Sequence, residues 1–142
     1  PLAIIHPHHY LEEPVDDVWE RGRGSLMYIL QDKPPGSSLA VENLPDHRGS
    51  WFCTRILKEF GPDQLGLCYD SSHENISGKP FHILDKYYNR VIVTHLSDNH
   101  GQSDEHLIPG EGNIDWARMR QLLEKSPNFL MWECLPEHSY LA

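Results

Sequence analysis

Apolar residues come along this chain in short runs that alternate between two periods. The runs at 2–6 (LAIIH), 39–43 (LAVEN), 65–70 (LGLCYD), 91–95 (VIVTH) and 129–133 (FLMWE) have the length and β-branched content of buried strands. Between them the apolar positions recur at helical spacing. Leu26, Ile29 and Leu30 mark a helix over 15–31, and Phe52, Ile56 and Phe60 one over 50–60. A short helix is predicted over 80–87, and Met119, Leu122 and Leu123 form a stripe over 114–125. Gly22 and Gly24 weaken the first helix, and Gly61-Pro62 closes the second. A Gly-, Asp- and His-rich loop occupies 96–113, and 135–142 reads as a tail.

Strand and helix thus alternate from end to end, which predicts an α/β domain with a parallel sheet and crossover helices. Five strands in 142 residues is about 28 residues per unit, the length of a βα unit. A complete (β/α)8 barrel needs about 250 residues, so a partial (β/α)8 TIM barrel and an open doubly wound sheet both fit. No glycine-rich phosphate loop follows any strand, which disfavours a nucleotide-binding sheet.

Each predicted strand ends on a residue type that ligates metals: His6, Glu42, Asp70, His95 and Glu133. With a period of two along a strand, Glu42 shares a face with Ala40, Asp70 with Cys68 and Gly66, His95 with Val93 and Val91, and Glu133 with Met131 and Phe129. Small residues inside, with Leu and Tyr on the other face, match a barrel whose strand ends converge at one mouth. Two glutamates, an aspartate and a histidine make a hard donor set suited to Mn, Mg, Co or Zn. His73 follows Asp70 by three residues, and Asp104 and His106 form a D-x-H pair. These three fit a second cation or contacts to substrate. His8 and His9 are expected in the mouth loop, and His47, His82, His100 and His138 at the surface. Cys68 is expected to pack inside, Trp51, Trp116 and Trp132 between helix and strand, and Trp19 to be partly exposed.

Composition narrows the function. The net charge is -9, so binding to nucleic acid is not expected. Three cysteines without a CxxC motif indicate neither a disulfide framework nor a zinc knuckle, and a cytoplasmic location is the default. No apolar run is long enough to span a membrane. The opening PLAIIHPHHY lacks Met and a basic stretch ahead of an apolar run, so it does not read as a signal peptide.

Taken together, IIHP at 4–7, LAVENLP at 39–45, LGLCYDSSH at 65–73, the stretch 93–116 and LMWE at 130–133 resemble the xylose isomerase-like TIM barrel superfamily. That group holds sugar phosphate isomerases/epimerases and type 2 AP endonucleases. The resemblance implies that 1–142 is one domain, corresponding to about strands four to eight of the barrel. It implies that Glu42, Asp70, His95 and Glu133 hold one divalent metal, with Glu42 and Glu133 as the acid/base pair. His73 then matches a substrate-binding or metal-binding histidine, and His6, Asp104 and His106 match further zinc ligands of the endonucleases. The arginine that ketose epimerases often carry after the fourth-strand histidine has no counterpart in LSDNHG. The expected function is a divalent-metal-dependent isomerase or epimerase of a sugar (phosphate) or polyol, acting by proton transfer through an enediolate. The alternatives are a multi-zinc endonuclease-like phosphodiesterase, or an inactive barrel fragment. Unpaired sheet edges would favour a homo-oligomer.

Overall fold

Four strands, β1 (Leu2–Ile5), β2 (Ser38–Glu42), β3 (Gly66–Asp70) and β4 (Val91–His95), pair in parallel in the order β1-β2-β3-β4. The computed structural model describes residues 1–7, 14–125 and 130–135. A strand order that follows the chain without reversal is that of a barrel segment, since a doubly wound sheet reverses at a switch point. The helices are α1 (Val15–Asp32), α2 (His47–Glu59), α3 (Ser71–Ile76), α4 (His82–Tyr87) and α5 (Trp116–Leu123).

The two sheet faces differ as the sequence alternation requires. Leu39, Val41, Leu65, Leu67 and Tyr69 join the helix residues Trp19, Leu26, Phe52, Ile56, Leu57, Leu84 and Met119 in one core. Ala40, Cys68 and Val93 form a second, smaller cluster on the opposite face, with Ile4 and Ile92 against it. Helices therefore cover one face, and the face carrying Glu42 and Asp70 is the barrel interior. Among the described residues no helix is long and apolar enough to cross a membrane.

Several local expectations are corrected. Helix α2 starts at His47 rather than 50, because the Asp46 carboxylate accepts from the Arg48 and Gly49 amides and caps it. The short polar helix α3 has no apolar stripe and was not expected; Asp70 caps it by accepting from the His73 amide. The helix expected over 80–87 begins at His82, and that over 114–125 spans Trp116–Leu123. Gly22 is a packing requirement rather than a defect, since a Cβ there would lie 2.5 Å from the Phe52 ring. Trp19 is buried, with the Arg55 guanidinium 4.0 Å from its ring centroid. Trp132, expected to pack, is 56% exposed.

Among the described residues the predicted fifth strand is reduced to a bridge. Of that segment, Leu130–Glu133 is described and Phe129 lies outside the described residues. It joins the sheet through one parallel bridge from Trp132 to Leu96, with the Leu96 amide donating to Met131 O and the Glu133 amide to Leu96 O. Val91 does not share the His95 face. A bulge between β3 and β4 pairs Leu67 with Val91 but Cys68 with Val93, so Val91 joins the helix-side core while Ile92 and Val93 both turn inward.

Candidate functional site

The C-terminal ends of β2, β3 and β4 deliver Glu42, Asp70 and His95 to one point above the Ala40–Cys68–Val93 layer. His95 Nδ1 lies 3.4 Å from Glu42 Oε2, 3.9 Å from Asp70 Oδ2 and 3.3 Å from Glu133 Oε2. Donor atoms held at 2.0–2.2 Å by one divalent ion sit about 3.0–3.6 Å apart; the separations to Glu42 and Glu133 fall in that range, and the one to Asp70 is a few tenths of an ångström longer. Two of the atoms also have nothing else to do. Asp70 Oδ2 and His95 Nδ1 are buried without a hydrogen-bond partner, an arrangement that costs free energy unless something completes it. Asp70, His95 and Glu133 form one group able to hold a metal, and Glu42 belongs to two others, with Cys68 and His95 and with Asp70 and His73.

The expected second group also assembles. His73, on α3, places Nδ1 3.3 Å from Glu42 Oε1 and Nε2 3.3 Å from Asp104 Oδ2. The same Asp104 oxygen is 3.1 Å from His106 Nε2. His73 Nδ1 donates to Asn43 O at 2.9 Å and His106 Nδ1 to Glu133 O at 2.8 Å. Both imidazoles therefore turn Nε2 toward Asp104. His106 takes a left-handed backbone, φ 52°, which is costly for a non-glycine residue and recurs at functional sites. His6 follows β1, is exposed, and meets His73 edge to face with ring centroids 6.3 Å apart. All eight expected site residues thus lie in one neighbourhood. His47, His82 and His100 are exposed as expected, while His8, His9 and His138 lie outside the described residues.

The electrostatics reflect this crowding. Burial raises the Glu42 carboxyl, but the imidazoles of His73 and His95 beside it outweigh this and hold it down to about 2. Burial dominates at Asp70 and pushes it up to about 7. Burial lowers His73, yet Asp104, Glu42 and Asp70 push it up to about 11. His95 is raised, chiefly by its contact with Glu42. Cys68, beneath the carboxylates, is pushed far up by burial and stays a thiol.

Residues that sequence patterning missed hold this geometry. The buried Asn43 side chain clips β2 to β3, its Nδ2 donating to Asp70 O at 2.9 Å and its Oδ1 accepting from the Asp70 amide at 2.8 Å. Ser71 Oγ donates to Ser97 O at 2.7 Å, and the Ser72 and Ser97 hydroxyls meet at 2.8 Å. In the sequence Asn43 reads as the last residue of the strand run 39–43; its position directly after a strand-end ligand is the signal that could have marked it.

The sequence profile of the xylose isomerase-like TIM barrel family matches residues 1–140. The chain belongs to that family. The crystal structure of a D-tagatose 3-epimerase-like protein superposes on it with a TM-score of 0.79 at 26% identity, covering 93% of this chain and 54% of that one. An uncharacterized protein of Methanocaldococcus jannaschii is 29% identical over 136 residues, 87% of this chain and 46% of that protein. An uncharacterized protein of Sinorhizobium fredii is 40% identical over 63 residues, 44% of this chain and 20% of that protein. The chain thus spans about half the length of the archaeal relative and of the epimerase-like structure. Placed in a xylose isomerase-like barrel, the parallel order of β1 to β4 is a run of consecutive barrel strands, and the cluster at their C-terminal ends occupies the face where barrel active sites lie.

Proposed function

We propose that the protein is a divalent-metal-dependent isomerase or epimerase of a sugar or polyol, with Glu42, Asp70, His95 and Glu133 as the ligands. The observation that carries this reading is the pair of buried, unpartnered atoms, Asp70 Oδ2 and His95 Nδ1, facing two further carboxylates. Mn, Mg, Co and Zn all suit a donor set of three carboxylates and one imidazole. When bound, such an ion supplies charge that polarises a carbonyl and stabilises the negative oxygen that develops beside it.

The remaining chemistry belongs to side chains. Glu42 and Glu133 lie on two sides of His95 and are the proton-transfer pair. One removes a proton from the carbon next to the carbonyl, and the other returns one to the neighbouring carbon or to the opposite face. His73, held between Glu42 and Asp104, presents a hydrogen-bond donor to a substrate oxygen.

The test combines metal content with isotope exchange. Elemental analysis of the full-length protein is expected to give about one divalent ion per chain. In D2O, the loaded protein is expected to wash deuterium into a ketose or inosose at the carbon beside the carbonyl, read by NMR. Bound metal with no exchange across ketoses, aldoses and inososes would sink the isomerase reading.

A second reading rests on a separate observation. His73 and His106 each spend Nδ1 on a backbone carbonyl and aim Nε2 at Asp104, the tautomer arrangement found around metal-bound histidines. Two or three zinc ions per chain would favour the phosphodiesterase.

A further inference from the structure

Outside the donor cluster, the Asp98 carboxylate, three positions past His95, accepts four hydrogen bonds. It is fully buried. Its Oδ1 accepts from the amides of Asn99 at 2.9 Å and Ile114 at 3.2 Å. Its Oδ2 accepts from the Gly110 amide at 2.8 Å and from Trp116 Nε1 at 2.7 Å. Asp98 and Leu107 exchange backbone hydrogen bonds in both directions at 2.8 and 2.9 Å. Gly112 leaves the carboxylate its room, since a Cβ there would lie 2.3 Å from Asp98 Oδ1.

The groups gathered by this one residue lead to two of the site residues, through its backbone to Leu107 and through its carboxylate to Trp116. Leu107 follows His106 directly. Trp116 packs on Trp132 with centroids 6.0 Å apart, and Trp132 precedes Glu133. The loop and the last segment are then sewn together: His106 Nδ1 donates to Glu133 O at 2.8 Å, the Leu135 amide to His106 O at 3.2 Å, and Cys134 Sγ to Leu107 O at 3.5 Å. Glu42, Asp70 and His95 are carried by paired strands, whereas Glu133 sits on a segment with a single bridge to the sheet. Its side chain is 44% exposed, against 6% for Glu42 and 1% for Asp70.

We infer that Asp98 is a positioning residue that sets Glu133 and His106 as one unit, so that the fourth donor reaches a cation held by the first three. The inference rests on the metal-site reading above. The carboxylate is the part that matters. In Asp98→Asn an amide NH2 would replace one acceptor oxygen and face either the Gly110 and Trp116 donors or the Asn99 and Ile114 donors, so one half of the clasp opens.

The experiment is a double-mutant cycle on metal affinity, read by calorimetry with Mn2+ and by the visible spectrum with Co2+. In the full-length protein, Glu133→Gln and Asp98→Asn are each expected to weaken binding by about tenfold or more, in the range of second-layer changes around metals. The double variant is expected to be no weaker than Glu133→Gln alone, because Asp98 acts through Glu133. The Co2+ spectrum of Asp98→Asn is expected to move toward that of Glu133→Gln. Trp116→Phe removes one donor and leaves the carboxylate, and is expected to give a smaller shift in the same direction, so the link is measured even where Asp98→Asn folds poorly. Additive losses in the cycle, or an unchanged Co2+ spectrum in both Asp98→Asn and Trp116→Phe, would overturn the inference. Failure of the wild-type protein to bind either ion would instead overturn the metal-site reading beneath it.

Discussion

Glu42 and Glu133 are chemically alike and differently placed. Glu42 is buried and touches both His73 and His95. Glu133 is half exposed and reaches only His95 among these groups. Either Gln substitution is therefore expected to weaken metal binding, but only Glu42→Gln is expected to lower the stability of the metal-free protein. The loss of an ionised partner to two buried imidazoles costs about 1–3 kcal/mol, whereas Glu133→Gln should stay within about 0.5 kcal/mol. Thermal denaturation in EDTA separates the two. The clustering of Glu42, Asp70, His95 and Glu133 was legible in the sequence because each falls at the end of an apolar run, where the period of two fixes its face. Asn43 and Asp98 were not legible, because their work lies in side-chain bonds to groups about 12 to 27 positions away, and no local pattern records those.

Elements were legible where apolar periodicity runs for several turns or a full strand. The helix 71–76 escaped because SSHENI has no apolar stripe; a side-chain cap and tertiary contacts hold it. The run FLMWE is harder to read, because apolar character is shared by a paired strand and by a segment that, among its described residues, meets the sheet at one bridge. Within α3, Glu74 is buried and accepts from the Ile83 amide, tying α3 to α4. Burial pushes its carboxyl up to about 7. The folded state thus retains a proton that the unfolded chain releases near its ordinary value, so this residue's contribution is most favourable at low pH and is lost as pH rises toward 7. Glu74→Gln keeps the acceptor for Ile83 and cannot ionise. The stability gap between variant and wild type is expected to widen in the variant's favour from pH 4.5 to 7, by on the order of 3 kcal/mol, measured by urea denaturation across that range. In α1, Gly22→Ala is expected to cost about 1–3 kcal/mol by driving a methyl group into the Phe52 ring.

For the whole molecule, a cation that binds only the folded site adds stability by mass action. At a hundredfold excess over Kd this is about 3 kcal/mol, or roughly 5–10 °C in Tm for a chain of this size. Calorimetric scans with Mn2+ and with EDTA are expected to differ by that amount. Charge makes a separate prediction. Several of the twelve Lys and Arg residues serve the helix layer: Arg23 pairs with Glu59, Arg118 with Asp85, and Arg90 binds the carbonyls of Leu57, Phe60 and Leu65. With a net charge of -9, binding of duplex DNA near physiological salt is expected to be undetectable by gel shift.

The bulge in β4 lets chain length and sheet register vary independently. Ile92 is the surplus residue: without it, Val91 would still face the helices and His95 would still face the barrel interior. The surplus is accommodated across the pair at Gly66, where a Cβ would stand 2.5 Å from the Ile92 side chain. The two positions thus form one interlocking shape, a missing side chain on one strand filled by an extra residue on the next. A lineage that trimmed β4 by that one residue would open a hollow that alanine at 66 fills, so each change alone is a lesion and the two together are a repair.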